Sequence, residues 1–334
     1  MIRNDNWVFR AMEYPRLQKW VLVAATLLLW FAFGLQPPSV TSLAAMGLLF
    51  FSLIYLSYQI YPYLPIAPNE LRAFGNNRQS NNQLSILVSN VYQPNRETAR
   101  LKEVINILNP DIILLVETDQ YWESEMNYLD EKYPHQVKEP KDNTYGMFLY
   151  SRLPLSDVEI RYMVEEDIPS IHAWVHLPSR KKIRLFGLHP RPPVPTENPR
   201  STEKDAELIL VAREVAETDA PVIVAGDLND VAWSYTTSLF QRLSGLLDPR
   251  KGRGFFNTFN AKNPLMRIPL DHVFVSSHFK LRNMSRVRSV GSDHFPIFIS
   301  LECSEHFQYQ QQTPEAVEAD EKVADEKLLK LQSS

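Results

Sequence analysis

The stretch VIVAGDLND, from Val222 to Asp230, decides how the rest of the chain is read. Four apolar residues lead into Gly226, and then Asp227, Asn229 and Asp230 follow within four positions. Gly, Asp and Asn are the ordinary residues of strand exits, so turn chemistry alone accounts for this stretch taken in isolation. The other strand ends have to discriminate. LSILVSNVY brings an apolar run to Asn90, DIILLVET ends at Glu117, and KIRLFGLH ends at His189. Further on, Asp271 opens DHVFVS, and Ser292, Asp293 and His294 open FPIFISL. Each residue alone fits a polar cap. Together they put carboxylates, amides and imidazoles at the ends of strands some two hundred positions apart, the pattern of a site assembled over a sheet edge.

Between these strands lie GMFLYS, IHAWVHL and FKLRNMSRV, and helical spacing in RETARLKEVINILN, around Trp122–Tyr133 and in STEKDAELILVAREVAET. The last is expected to be capped by Thr202, with Asp205 three residues on as the capping-box acid. Strands outnumber helices and often follow one another directly, which predicts an α/β sandwich of mixed sheets and not a doubly wound parallel sheet.

The chain has 334 residues, a net charge of −4 and one cysteine, Cys303. The charge does not by itself point to nucleic acid, and the single cysteine excludes an internal disulfide and a cysteine-based zinc centre. Two runs near the N-terminus, Trp20–Gln36 and Val40–Ile60, contain no charged residue. The second is long enough to cross a bilayer and the first barely so. With a turn at Pro37-Pro38-Ser39 they predict a transmembrane helical hairpin, and Tyr55, Tyr58, Tyr61 and Tyr63 supply an interfacial aromatic belt. Arg3, Arg10, Arg16 and Lys19 precede it, and Arg72 and Arg78 follow. The positive-inside rule therefore places both flanks in the cytoplasm of a two-pass protein of the bacterial-type inner or plasma membrane. The expected organisation is a basic segment (1–19), the hairpin (20–60), a linker (61–83), a catalytic domain (84–301) and an acidic, disordered or loosely helical tail (302–334). That tail carries eight acids against three lysines.

The set SN with Asn90, LLVE with Glu117, GLH with His189, GDLN, LDHVF and SDHFP resembles the endonuclease/exonuclease/phosphatase superfamily of metal-dependent phosphohydrolases. The elements occur in that family's order over roughly Leu84–Leu301, and GMFLYSRLPL is similar to its central segment. The resemblance implies a four-layer sandwich, two facing sheets with helices outside, and a hydrolase using Mg²⁺ or Mn²⁺. It assigns Glu117, Asn90 and Asp293 to the metal and Asp227 to the attacking water. Asn229 is assigned to a phosphoryl oxygen, His294 (held by Asp271) to the phosphate, and His189 to the developing charge. Hard oxygen donors suit these cations, which neutralise a phosphate ester for attack. Tyr92 stands where one branch of the family carries a second amide or acid, which bears on a second metal. His189 favours the DNase and phospholipase side of the family.

Substrate choice is read from Pro249–His272, where Arg250, Lys251, Arg253 and Phe255 interleave cations and aromatics before a catalytic strand. This pattern suits a nucleic-acid phosphodiester first. The alternatives are a phospholipid-type headgroup beside the bilayer, and a non-catalytic membrane-anchored scaffold. Nothing in the sequence identifies a protein partner.

Overall fold

The computed structural model describes residues 4–33, 39–75 and 78–333. Arg3 and the Pro37-Pro38 turn lie outside them. In chain order the elements begin with helices α1 (Trp7–Glu13), α2 (Arg16–Phe33) and α3 (Val40–Ile60). Then come β1 (Gln83–Asn90), α4 (Thr98–Leu108), β2 (Ile112–Val116), α5 (Gln120–Met126), β3 (His135–Glu139) and β4 (Met147–Ser151). The second half comprises β5 (Leu155–Arg161), β6 (Ser170–His176), β7 (Lys182–Leu188), α6 (Thr202–Ala216), β8 (Val222–Asp227), α7 (Tyr235–Ser244) and β9 (Asp271–Val275). β10 (Phe279–Arg286), β11 (Ile297–Cys303) and α8 (Glu318–Ser333) complete the chain.

The strands form a six-stranded sheet, β10-β11-β1-β2-β4-β3, and a five-stranded sheet, β5-β6-β7-β8-β9. Among the described strands, β1–β2 and β7–β8 pair in parallel and the other neighbours are antiparallel. The central strands are apolar on both faces because both faces are covered. Ile86, Val88, Leu114 and Leu149 of one sheet meet Ile171, Leu185, Ile223 and Val273 of the other in the inter-sheet core. On the outer faces, Leu87, Ile113 and Phe148 pack on Val104 of α4 and Trp122 of α5. Phe186, Val224 and Phe274 pack on Leu208 of α6, Phe240 of α7 and Val323 of α8. The expected layers, helix, sheet, sheet, helix, are all present.

Register brings the polar strand ends together. Asn90 pairs with Val116, so Glu117 is the next residue past that pair. Leu188 pairs with Gly226, which puts His189 and Asp227 at one level, and Asp227 faces Asp271 on antiparallel β9. Gly226 has φ +146°, and a Cβ there would lie 1.9 Å from the Leu188 carbonyl oxygen, so only glycine keeps β7 and β8 this close.

α2 and α3 are long and apolar enough to cross a membrane by length and composition, and little of either is buried. α2 begins earlier than expected, at Arg16. The two helices pack on each other, with Trp20 Nε1 donating to Ser57 Oγ at 2.8 Å.

Four flanking expectations change. The basic N-terminal segment is docked on the sandwich. Arg10 is buried and paired with Asp205 at 2.8 Å, and Trp7 N–H donates to the Pro199 carbonyl. The linker is docked too: Tyr63, Ala67 and Leu71 are buried. The tail is neither disordered nor loose, since Val323 and Ala324 bury against α6 and α7 and Lys327 pairs with Asp205 at 2.6 Å. Several of its acids have cationic partners, including Arg242 for Asp320 and Arg213 for Asp325. Finally, Ser201 is the N-cap of α6, and its hydroxyl donates to Asp205 Oδ2 at 3.0 Å. Asp205 has turned inward to hold Arg10.

Candidate active site

Asn90 joins the two sheets. Its amide nitrogen donates to Glu117 Oε1 at 2.6 Å and to Asp227 Oδ2 at 3.0 Å. Its Oδ1 accepts from Tyr92 N–H at 2.9 Å. Glu117 Oε2 also accepts from Gln93 N–H. Burial pushes the Glu117 carboxyl up to about 7, against the opposing pull of the Asn90 hydrogen bond. Tyr92, Glu117 and Asn229 all have positive φ, 59°, 62° and 50°. Non-glycine residues in this region carry strain that concentrates at functional sites.

On the other side, His294 Nδ1 lies 2.7 Å from Asp271 Oδ2 and its Nε2 lies 3.6 Å from Asp227 Oδ2. Burial alone would lower the His294 pKa, but these two carboxylates override it and push the imidazole up to about 10. Burial raises the Asp227 carboxyl and His294 and His189 lower it, with a net fall below the usual range. His294 is therefore a buried imidazolium between two aspartates. His189 is the reverse. Burial lowers it to about 4, despite nearby Asp227, and its Nδ1 has no partner among the described residues.

These positions include Asn90, Glu117, His189, Asp227, Asp271 and His294, six of the expected site residues. Asp293 sits beside His294, and its backbone carbonyl accepts from Ala261 N–H at 2.6 Å. Asn229 is arranged differently from a two-residue strand repeat. β8 ends at Asp227, and Asn229 turns so that its own N–H reaches Asp227 Oδ1 while Nδ2 donates to the Pro190 carbonyl. The side chain thus braces the loop after His189.

The profile of the Endonuclease/Exonuclease/phosphatase family matches residues 87–294, more than half of the chain. The chain belongs to that family. The family member's fold is shared by several solved structures. D. rerio TDP2 complexed with single strand DNA product is 19% identical, with a TM-score of 0.57 over 66% of this chain and 99% of that one. The human Nocturnin catalytic domain with bound sulfate anion is 15% identical, with a TM-score of 0.55 over 68% and 97%. SmcL is 17% identical, with a TM-score of 0.51 over 67% and 100%. No curated protein matches in sequence. The chain is a phosphoric-ester hydrolase by its family.

The four substrate residues expected from Pro249–His272 are occupied within the fold. Arg250 is fully buried, forked on Asp248 through two 2.8 Å bonds and in contact with His272 Nδ1 at 2.7 Å. Lys251 pairs with Glu70 at 2.7 Å, and Arg253 donates to the Leu71 carbonyl at 2.6 Å. Phe255 stacks on Tyr63. Cations and aromatics that look like a polyanion surface in the sequence are the seat of the chain's own 61–72 segment. Each of the four has a partner within the fold.

Other residues near the site were not assigned to it from the sequence. Phe259 lies against the His294 ring at 5.0 Å, and Thr258 Oγ1 accepts from Asp271 N–H. Tyr14, more than two hundred positions from Asn229, donates its hydroxyl to the Asn229 carbonyl at 3.1 Å. Only the tertiary fold brings it there.

The donor set fits a hard divalent cation. Glu117 receives hydrogen bonds from the neutral Asn90 and Gln93 donors and shares Asn90 with a second carboxylate, Asp227. A cation at these oxygens offsets the burial cost that raises Glu117. One ligand atom each of Asp227, Asp271 and His294 also lie within 4.8 Å of one another. There, however, an imidazolium already balances the aspartates.

Proposed function

We propose that the chain is a membrane-anchored, Mg²⁺- or Mn²⁺-dependent phosphodiesterase whose reaction runs between Glu117 and His294. The observation that carries this reading is the buried Asp271–His294–Asp227 array, joined through Asn90 to a carboxylate of opposite titration character. Glu117, with Asn90 beside it and with Asp293 nearby, would hold the cation. When bound, it supplies charge neutralisation at the phosphate oxygens. Asp227 is a weak base because its pKa is lowered. It therefore orients the water and takes its proton only as the oxygen–phosphorus bond forms. The ester phosphorus–oxygen bond breaks, and the departing oxygen is protonated from solvent. His294, donating from Nε2 while Asp271 fixes Nδ1, stabilises the charge on phosphorus, and neutral His189 adds a hydrogen bond. Asn229 acts here as a brace for the Pro190 loop.

The anchor follows from α2 and α3 as a hairpin. Contacts of Trp7, Arg10 and Tyr14 with the catalytic domain support both flanks lying on one side of the bilayer. The charge rule favours the cytoplasmic side. The test is hydrolysis of bis(p-nitrophenyl) phosphate by the full chain. Activity should require Mg²⁺ or Mn²⁺ and disappear in EDTA, and Asp227→Asn and His294→Ala should each lower kcat at least about 10²-fold. Full turnover under rigorous chelation, or near-normal rates in both variants, sinks the reading.

A further inference from the structure

The edge carrying the catalytic strand ends is built against the root of the hairpin. The loop after Asp227 is held from both of its ends: Tyr14 donates to the Asn229 carbonyl, Arg16 to the Trp233 carbonyl at 2.5 Å, and Tyr63 to the Ala232 carbonyl at 2.6 Å. On the far side, Gln18 Nε2 in the first turn of α2 donates to the Arg267 carbonyl at 3.0 Å. The 257–267 loop therefore hangs between α2 and the catalytic histidine. It reaches the site through Phe259, which bridges to His294, and Ala261, which bonds to Asp293.

An open trough of about 640 Å³ runs between this loop and α2, lined by Leu17, Val21, Leu22, Ala25, Pro264 and Leu265. That volume is in the range of small-molecule sites, yet its wall is the surface of an apolar helix. Leu265 is 79% and Met266 52% exposed at the loop tip, a placement that costs free energy in water and gains it in hydrocarbon. Arg267 and Arg286 also line the trough, and both guanidinium groups lie over the Phe295 ring, at 5.0 and 4.4 Å. Neither forms an ion pair with a carboxylate among the described residues, and the buried Nε of Arg267 has no partner there. Two like charges kept together without a counter-ion are a site for a phosphate oxygen. Phe295 directly follows His294.

We propose that the substrate is a phospholipid taken from the bilayer in which the hairpin sits. An acyl chain lies in the trough along α2, the loop tip Leu265–Met266 enters the interface, and Arg267 and Arg286 engage the headgroup phosphate on its way to His294. This rests on the phosphodiesterase reading and on the anchor. Water supplies the oxygen, one ester phosphorus–oxygen bond of the lipid breaks, and the departing oxygen takes up a proton from solvent to leave as the alcohol.

The full chain is reconstituted with Mg²⁺ in vesicles of phosphatidylcholine, phosphatidylethanolamine and phosphatidylglycerol. Release of phosphorylated product is compared with turnover of bis(p-nitrophenyl) phosphate and a DNA oligonucleotide in the same preparation. Lipid hydrolysis is expected. The ratio of lipid to soluble turnover should fall at least tenfold in Leu265→Asp/Met266→Asp and in Arg267→Gln/Arg286→Gln. A fluorophore on Leu265→Cys should be quenched by brominated acyl chains, because the native Cys303 is buried and does not compete for label. Hydrolysis of the soluble diester or DNA without the lipids overturns the substrate assignment, as does an unchanged ratio or an unquenched probe. Loss of all three activities in the wild type overturns the phosphodiesterase reading instead.

Discussion

Glu117 and His294 are titratable groups displaced in opposite senses within one site. Glu117 is raised to about 7 from the usual 4.5, so near neutral pH it still holds a proton part of the time. A cation must displace that proton. Affinity for Mn²⁺ should therefore be full above pH 8 and fall by up to about tenfold per pH unit below about 7. Titration calorimetry at pH 6, 7 and 8 checks this, and Glu117→Gln should bind weakly without that slope. An affinity flat across the range would mean that the cation sits elsewhere. Gly226 belongs to the same scale. Gly226→Ala sets a methyl against the Leu188 carbonyl and should cost at least about 2 kcal/mol of stability, read from urea unfolding.

At the level of elements, α1, α6 and α8 converge on one buried carboxylate. Asp205 receives Arg10 at 2.8 Å, Lys327 at 2.6 Å and Lys204 at 3.3 Å. Burial would raise its pKa, but these cations hold it far below its usual 3.8. A depressed carboxyl contributes stability that is complete above the unfolded value and lost as pH falls, so the cluster should weaken below about pH 4. Asp205→Ala leaves buried cations unpaired and should cost about 3–5 kcal/mol. Thermal melts at pH 7 and pH 3 test both statements: the variant should melt well below the wild type at pH 7, and the gap should narrow at pH 3. The contacts that dock α1 also support the loop after β8 through Tyr14 and Glu13, whose carbonyl accepts from Trp233 Nε1 at 3.0 Å. Helix docking and site geometry are thus one structure.

For the whole molecule, the docked N-terminal segment makes topology testable. Asn4 and Glu131 are exposed and lie in the N-terminal segment and the catalytic domain. In intact cells, Asn4→Cys and Glu131→Cys should both resist a membrane-impermeant maleimide, and both should react once the membrane is opened. Labelling of one alone would break the hairpin reading; labelling of both would reverse its side. Cys303 itself is a poor reporter because it is buried, and burial pushes its thiol up to about 12.

Apolar runs ending in Asn90, Glu117, His189 and Asp227 made the sandwich legible in the sequence, and with it the polar residues that gather at one sheet edge, because strand period and strand-end chemistry are local properties. The two charge-free helices were legible for the same reason. The roles of Arg250, Lys251, Arg253 and Phe255 were not, since a cation looks alike in sequence whether it meets a phosphate or the chain's own Glu70, Asp248 or Leu71 carbonyl. Nor was Asn229, whose direction depends on a left-handed turn just past the end of β8. The docking of α1 on Asp205 and of Tyr14 beside Asn229 belonged to tertiary structure alone. Contacts between residues some two hundred positions apart leave no periodicity, and only packing selects which of many possible partners each charge meets.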